Sequence, residues 1–162
     1  MQFDWQRLFL SADGRIGRQE YWIAFLMLLG AGVVARFIPF LGPLLSLALI
    51  YPQVCVGSKR LHDIGRSGFL MLIPYGVFVV ALILGLMLGG MAFLAGMAGG
   101  DGGATAAAVG AGLGLAGIVL VACLVSLGFI IWVGVTPSQP GENRYGPEPV
   151  VAPVAPVPPP AA

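Results

Sequence analysis

"FLMLIPYGVFVVALILGLMLGGMAFLAG", residues 69–96, runs for 28 residues without a charged side chain. A helix needs about 20 apolar residues to cross the hydrocarbon of a bilayer. This run is long enough to do so, and it reads as a transmembrane helix. The rest of the chain agrees with it. The 162 residues are 58% hydrophobic and only 9% charged, with a mean hydropathy of +0.94. That composition belongs to a membrane protein rather than a soluble domain. A net charge of +1 gives no electrostatic support for nucleic acid as a partner.

Three further apolar runs lie outward from this one. Upstream are "YWIAFLMLLGAGVVARFI" (21–38) and "LLSLALIYPQVCVG" (44–57), separated by Pro39, Gly42 and Pro43, which break helices. Pro52 is expected to kink the second of them. Downstream, "GLGLAGIVLVACLVSLGFIIWVGV" (112–135) forms the last run. Spans are therefore expected at about 21–38, 41–57, 69–94 and 113–135. Between the third and fourth, the glycine-dense stretch 95–112 reads as a flexible loop. "GLMLG" (85–89) and "GAGLG" (110–114) carry the small-xxx-small spacing that lets helices approach closely.

The expected fold is all-α: a polytopic membrane protein with four transmembrane helices. Residues 1–20 form a cytoplasmic or interfacial segment, 21–149 the four-span membrane domain, and 150–162 a disordered tail rich in proline and alanine. The first twenty residues are interrupted by Asp4, Arg7, Asp13, Arg15 and Arg18, so they lack the apolar core of a cleavable signal peptide. Phe3, Trp5, Leu8 and Phe9 could line one face of a short interfacial helix. Trp22 and Trp132 fall near span ends, where indoles favour headgroups. Four spans put Arg7, Arg15, Arg18, Lys59, Arg60, Arg66 and Arg144 on one side and leave Arg36 on the other. By the positive-inside rule both termini are expected in the cytoplasm. Cys55 and Cys123 sit in apolar runs without metal-ligand spacing and read as packing residues.

This topology gathers three polar segments at one membrane face: "GRIGRQEYW" (14–22), "KRLHDIGRSG" (59–68) and "PGENRYGPEP" (140–149). Helix caps account for part of them. Gly17 suits an N-cap with Glu20 in the first turn, Gly65 suits a left-handed position after a helix, and Ser67 suits the next N-cap. Caps do not require His62 beside Asp63, or Asn143-Arg144-Tyr145 between glycines. The expected polar cluster comprises Arg15, Arg18, Glu20, Arg60, His62, Asp63, Arg66, Ser67, Asn143 and Arg144. A charge at the helix centre costs about 2.5–3.5 kcal/mol on the insertion scale, so the 59–68 segment is expected as a loop at the surface.

In their order, these three motifs resemble the bacterial inner-membrane proteins grouped as domain of unknown function 805, from about Gly14 to Pro149. "RLHDIGRSG" is the most specific piece. Gly17 stands where the family usually has serine, Phe69 stands where tryptophan is usual, and 95–112 looks like an insertion. The resemblance implies a four-span protein of the bacterial inner membrane and implies no reaction.

The chemistry can be narrowed by counting. His62 is the single histidine, which excludes a histidine-rich metal centre. Neither Ser58 nor Ser67 lies in a nucleophile-elbow sequence. The chain is thus expected to be no enzyme, with no cofactor and no metal. Coupled transport usually needs an ionisable group at mid-depth, whereas the spans offer only neutral groups such as Ser46, Gln53 and Ser126. The expected role is a non-enzymatic membrane module whose arginine-rich cluster binds an anionic lipid headgroup, a small ligand or a membrane protein partner. A clasp of salt bridges holding the helix ends fits the same charges equally well. A small transporter or channel subunit, acting as a homo-oligomer, is the alternative.

Overall fold

The computed structural model describes residues 5–149. The expected tail at 150–162 and Phe3 lie outside the described residues. Among those described, the regular elements are helices α1 (Trp5–Leu10), α2 (Arg18–Ala35), α3 (Leu41–Ala48), α4 (Ile50–Asp63) and α5 (Leu72–Val135), with a 3-10 turn at Gly68–Met71.

Local chemistry sets the breaks. Gly17 takes extended backbone as the N-cap of α2, and the Tyr21 N–H donates to its carbonyl at 3.1 Å. α3 and α4 form one run, Leu41–Asp63, interrupted at Leu49. Pro52 explains the interruption: it has no N–H to give Ala48, and its ring presses on that carbonyl. α4 then continues six residues past the end expected at 57. Its end is a Schellman motif, in which Gly65 at φ +75 donates to the His62 carbonyl at 3.0 Å and Arg66 to that of Leu61 at 2.8 Å. The surface loop expected at 59–68 thus shrinks to Ile64–Ser67. Ser67 is the N-cap of the 3-10 turn by position but makes no capping hydrogen bond through its side chain.

The largest departure is at 95–112, which is helical rather than a loop. Alanine favours helix, and glycine is tolerated where no water competes for the backbone hydrogen bonds. α5 nevertheless doubles back: Gly96 lies against Ala104, Gly85 against Leu115 and Gly114 against Leu88. The result is an antiparallel pair of arms. Each arm notches a leucine of the other at a glycine, so Gly85 and Gly114 of the two small-residue motifs serve contacts within the chain.

Three helical runs are long and apolar enough to cross a membrane: Leu41–Asp63, Gly68–Gly99 and Gly102–Val135. They are not clearly four. α2 has the length, but its first turn is Arg18-Gln19-Glu20, which dilutes the apolar stretch. The core lies at one end of the molecule. Leu8, Ile16, Tyr21, Ala24, Leu28, Val56, Leu61, Met71 and Val133 pack there, drawn from α1, the segment before α2, α2, α4, the 3-10 turn and the end of α5. The α2–α3 turn lies at the opposite end.

Candidate functional site: a buried arginine–aspartate clasp

Asp63, the last residue of α4, is fully buried and holds two buried arginines. The segment before α2 brings in Arg15, whose guanidinium reaches Asp63 Oδ1 at 3.2 Å. One helical turn before Asp63, Arg60 pairs with Oδ2, and the Ser138 hydroxyl donates to the same oxygen.

One carboxylate cannot balance two guanidinium groups, and burying an uncompensated charge is costly. Backbone carbonyls take the remaining N–H groups. Arg15 donates to the carbonyls of Gln139 at 2.5 Å and Gly141 at 2.6 Å, and more weakly to Gly146 at 3.3 Å. Arg60 donates through Nε to the Val133 carbonyl at 3.1 Å and through Nη2 to that of Thr136. Val133 and Thr136 close α5, whose carbonyl end carries partial negative charge, so the cation also caps that helix. The fork of an arginine suits this many-sided role, because its donors point in fixed and different directions.

A third buried cation works in the same way. Lys59 donates to the carbonyls of Arg7 and Leu8 near the end of α1, while the Tyr51 hydroxyl donates to Leu10 at 2.9 Å. These bonds tie α1 along α4. Arg15, Lys59 and Arg60 are therefore inside, not on the basic surface that the sequence led us to expect. The physical reason is the supply of carbonyls from helix ends and from the non-helical exit strap 136–146.

The strap is latched to α4 from both sides. The Gln139 N–H donates to the Asp63 carbonyl at 2.8 Å, and Asn143 Nδ2 donates to the His62 carbonyl at 3.0 Å. Tyr145 stacks face to face on His62, with ring centroids 3.8 Å apart and planes 6° from parallel. The other side of the arrangement is Gly14, whose carbonyl lies 3.3 Å from His62 Nδ1. Arg144 lies over the Tyr145 ring at 4.7 Å. The histidine without an explanation in the sequence is thus a stacking platform for the strap.

Of the ten residues in the expected cluster, Arg15, Arg60, His62, Asp63 and Asn143 come together around the end of α4. Arg144 joins them through Tyr145. Arg18, Glu20 and Arg66 are exposed, and Ser67 sits at the loop edge. Sequence reasoning missed Ser138, Gln139, Gly141 and Gly146. The signal for them was indirect: two arginines set against one aspartate call for neutral acceptors, and only irregular backbone offers carbonyls so freely.

A helical membrane-type chain built around an arginine–aspartate clasp is the class this geometry defines. The chain belongs to the family described as "Protein of unknown function (DUF805)", which it matches over residues 9–147. It is similar to the uncharacterized protein YiiR of Escherichia coli K12, 32% identical over 152 residues, which cover 87% of each chain. It is also similar to the inner membrane protein YhaI of the same strain, 31% identical over 84 residues, which cover 47% of this chain and 71% of that one. No solved structure matches it.

Proposed function

We propose that the chain is a non-enzymatic, multi-pass protein of the bacterial inner membrane that binds anionic lipid headgroups at its cytoplasmic face. In this reading α2 crosses the bilayer with the three longer runs, and both termini lie in the cytoplasm. The relative named as an inner membrane protein and the apolar helices support the location.

One observation carries the binding role: the arginines are divided. Arg15 and Arg60 spend their donors inside the clasp, whereas Arg18, Arg66 and Arg144 remain exposed around it. Guanidinium groups near a membrane surface attract acidic lipids, at about 1 kcal/mol per basic side chain. The clasp holds the rim while the rim makes the contact. Support for a non-catalytic role comes from His62, which is engaged by Tyr145 and Gly14, and from Ser58, whose hydroxyl donates to the Gly68 carbonyl at 3.4 Å.

The test is native mass spectrometry of protein released from nanodiscs of mixed phosphatidylglycerol and phosphatidylcholine. The wild type should retain phosphatidylglycerol in excess, and a combined Arg18→Gln, Arg66→Gln, Arg144→Gln variant should lose most of that excess. Equal retention by the two proteins would overturn the role. A carboxyl-terminal reporter active only in the periplasm would overturn the orientation.

A further inference from the structure

The α2–α3 turn, at the end remote from the clasp, has a separate chemistry. We infer that it holds the phosphate of an anionic phospholipid, with Arg36 as the phosphate ligand and Phe37 and Phe40 set among the acyl chains.

Three observations meet there. Arg36, which caps the end of α2, is exposed and makes no ion pair or side-chain hydrogen bond among the described residues. It is also the basic residue that the distribution of charge leaves alone at this end. A lone cation among apolar side chains calls for an anion, and arginine meets a phosphate with two parallel N–H bonds.

The second observation is conformational. Phe40 stands at φ +64 and ψ −45, the centre of a γ-turn that the Leu41 N–H closes on the Pro39 carbonyl at 2.8 Å, and such strained backbone costs an L-residue about 1–3 kcal/mol. Phe40 is 93% exposed and Phe37 is 82% exposed. Among the described residues nothing covers either ring, which leaves both open to an apolar partner from outside the chain.

The third is shape. A cleft of about 480 Å³ opens between Arg36, Ile38, Pro39, Phe40 and Ser46. Arg36 and Ser46 are the polar residues of its lining, and Ile38, Pro39, Phe40 and Pro43 are the apolar ones. A phospholipid has the same division, with phosphate at one end and acyl chain at the other. A free phosphate would leave the apolar lining unused, and in a zwitterionic lipid the phosphate is already balanced by the headgroup's own ammonium, so an anionic lipid is the better match for Arg36. The inference does not depend on which compartment this end faces.

The experiment places a fluorescent reporter beside the cleft. Phe37→Trp, at a residue of ordinary backbone, is reconstituted in nanodiscs of phosphatidylcholine and phosphatidylglycerol with bromine on the acyl chains of one lipid at a time. The wild-type signal is subtracted to remove Trp5, Trp22 and Trp132. Brominated phosphatidylglycerol should quench about five-fold more effectively than brominated phosphatidylcholine at equal mole fraction, the ratio that about 1 kcal/mol of attraction to one arginine gives. Adding Arg36→Gln should bring the ratio to one, and a Phe40→Gly variant, which relaxes the backbone, should lower it while remaining folded. Changing Arg18, Arg66 and Arg144 to Gln instead should leave the ratio unaltered, which separates this site from the rim at the other end. Equal quenching by the two lipids would overturn the inference, as would a ratio that survives Arg36→Gln.

Discussion

The second half of α4 and the hairpin of α5 are built on opposite plans. From Cys55 to Asp63 every residue of α4 except His62 is buried, and three of those buried residues are the charged Lys59, Arg60 and Asp63. α5 is apolar along its length and turns most of its large side chains outward, among them Leu82, Leu86, Met87, Phe93, Leu113 and Leu120. A soluble protein hides its hydrocarbon and shows its charge. Here the polar groups form the hub and the hydrocarbon forms the outside, because lipid already solvates the outside. Without a hydrophobic force to drive helices together in lipid, packing and hydrogen bonds must supply the specificity. The hub concentrates those bonds, and the hairpin makes do with leucines set into glycine notches.

The hub is therefore where the largest effect is expected. Asp63→Asn preserves shape but leaves Arg15 and Arg60 buried without a counterion, at a cost of about 3–5 kcal/mol. Arg60→Lys retains the charge but cannot reach Val133, Thr136, Ser138 and Asp63 together, and should cost about 1.5–3 kcal/mol. Unfolding midpoints in mild detergent measure both. If Arg60→Lys were neutral, the clasp would be a simple charge pair, and the carbonyl network would count for little.

Next in size is the hold on α1. Lys59→Met keeps the aliphatic stem inside but removes the ammonium from the Arg7 and Leu8 carbonyls, a local loss of about 1.5–3 kcal/mol. α1 should come away while the clasp persists. Acrylamide quenching that rises for Trp5, read in a variant with Trp22 and Trp132 replaced by Phe, would report the release. A drop in global stability equal to that of Asp63→Asn would instead make α1 part of the hub.

The two regions also differ in how plainly the sequence declares them. The apolar runs were legible because lipid imposes a single periodicity-free requirement, length, and the caps at Gly17 and Gly65 were legible because they obey local rules. The meeting of Arg15, Asp63 and Asn143 followed from bringing three polar segments to one face. What stayed hidden was direction. The letters of Lys59 and Arg60 do not say whether a cation faces water or a ring of carbonyls, and those carbonyls are remote in sequence: Arg7 and Leu8 for Lys59, Val133 and Thr136 for Arg60. The stretch 95–112 misled for a different reason: its glycines signal a loop in water, whereas a medium without competing hydrogen bonds lets them stay helical.

The finest test places the same methyl group in both regions. At Gly57 in α4, a Cβ would run into the side chain of Met71, itself part of the buried core, so Gly57→Ala should cost about 1–3 kcal/mol from overpacking. At Gly85 in the hairpin, the added Cβ would stand 2.9 Å from the end of Leu115, a flexible side chain that is half exposed and free to turn outward. There the gain in helix propensity, about 0.8–1 kcal/mol for glycine to alanine, offsets the crowding. Gly85→Ala should consequently leave the unfolding midpoint almost where it was. Equal losses at the two sites would mean that the hairpin is packed as rigidly as the hub, and that its glycine notches fix geometry as firmly as the carbonyl network does.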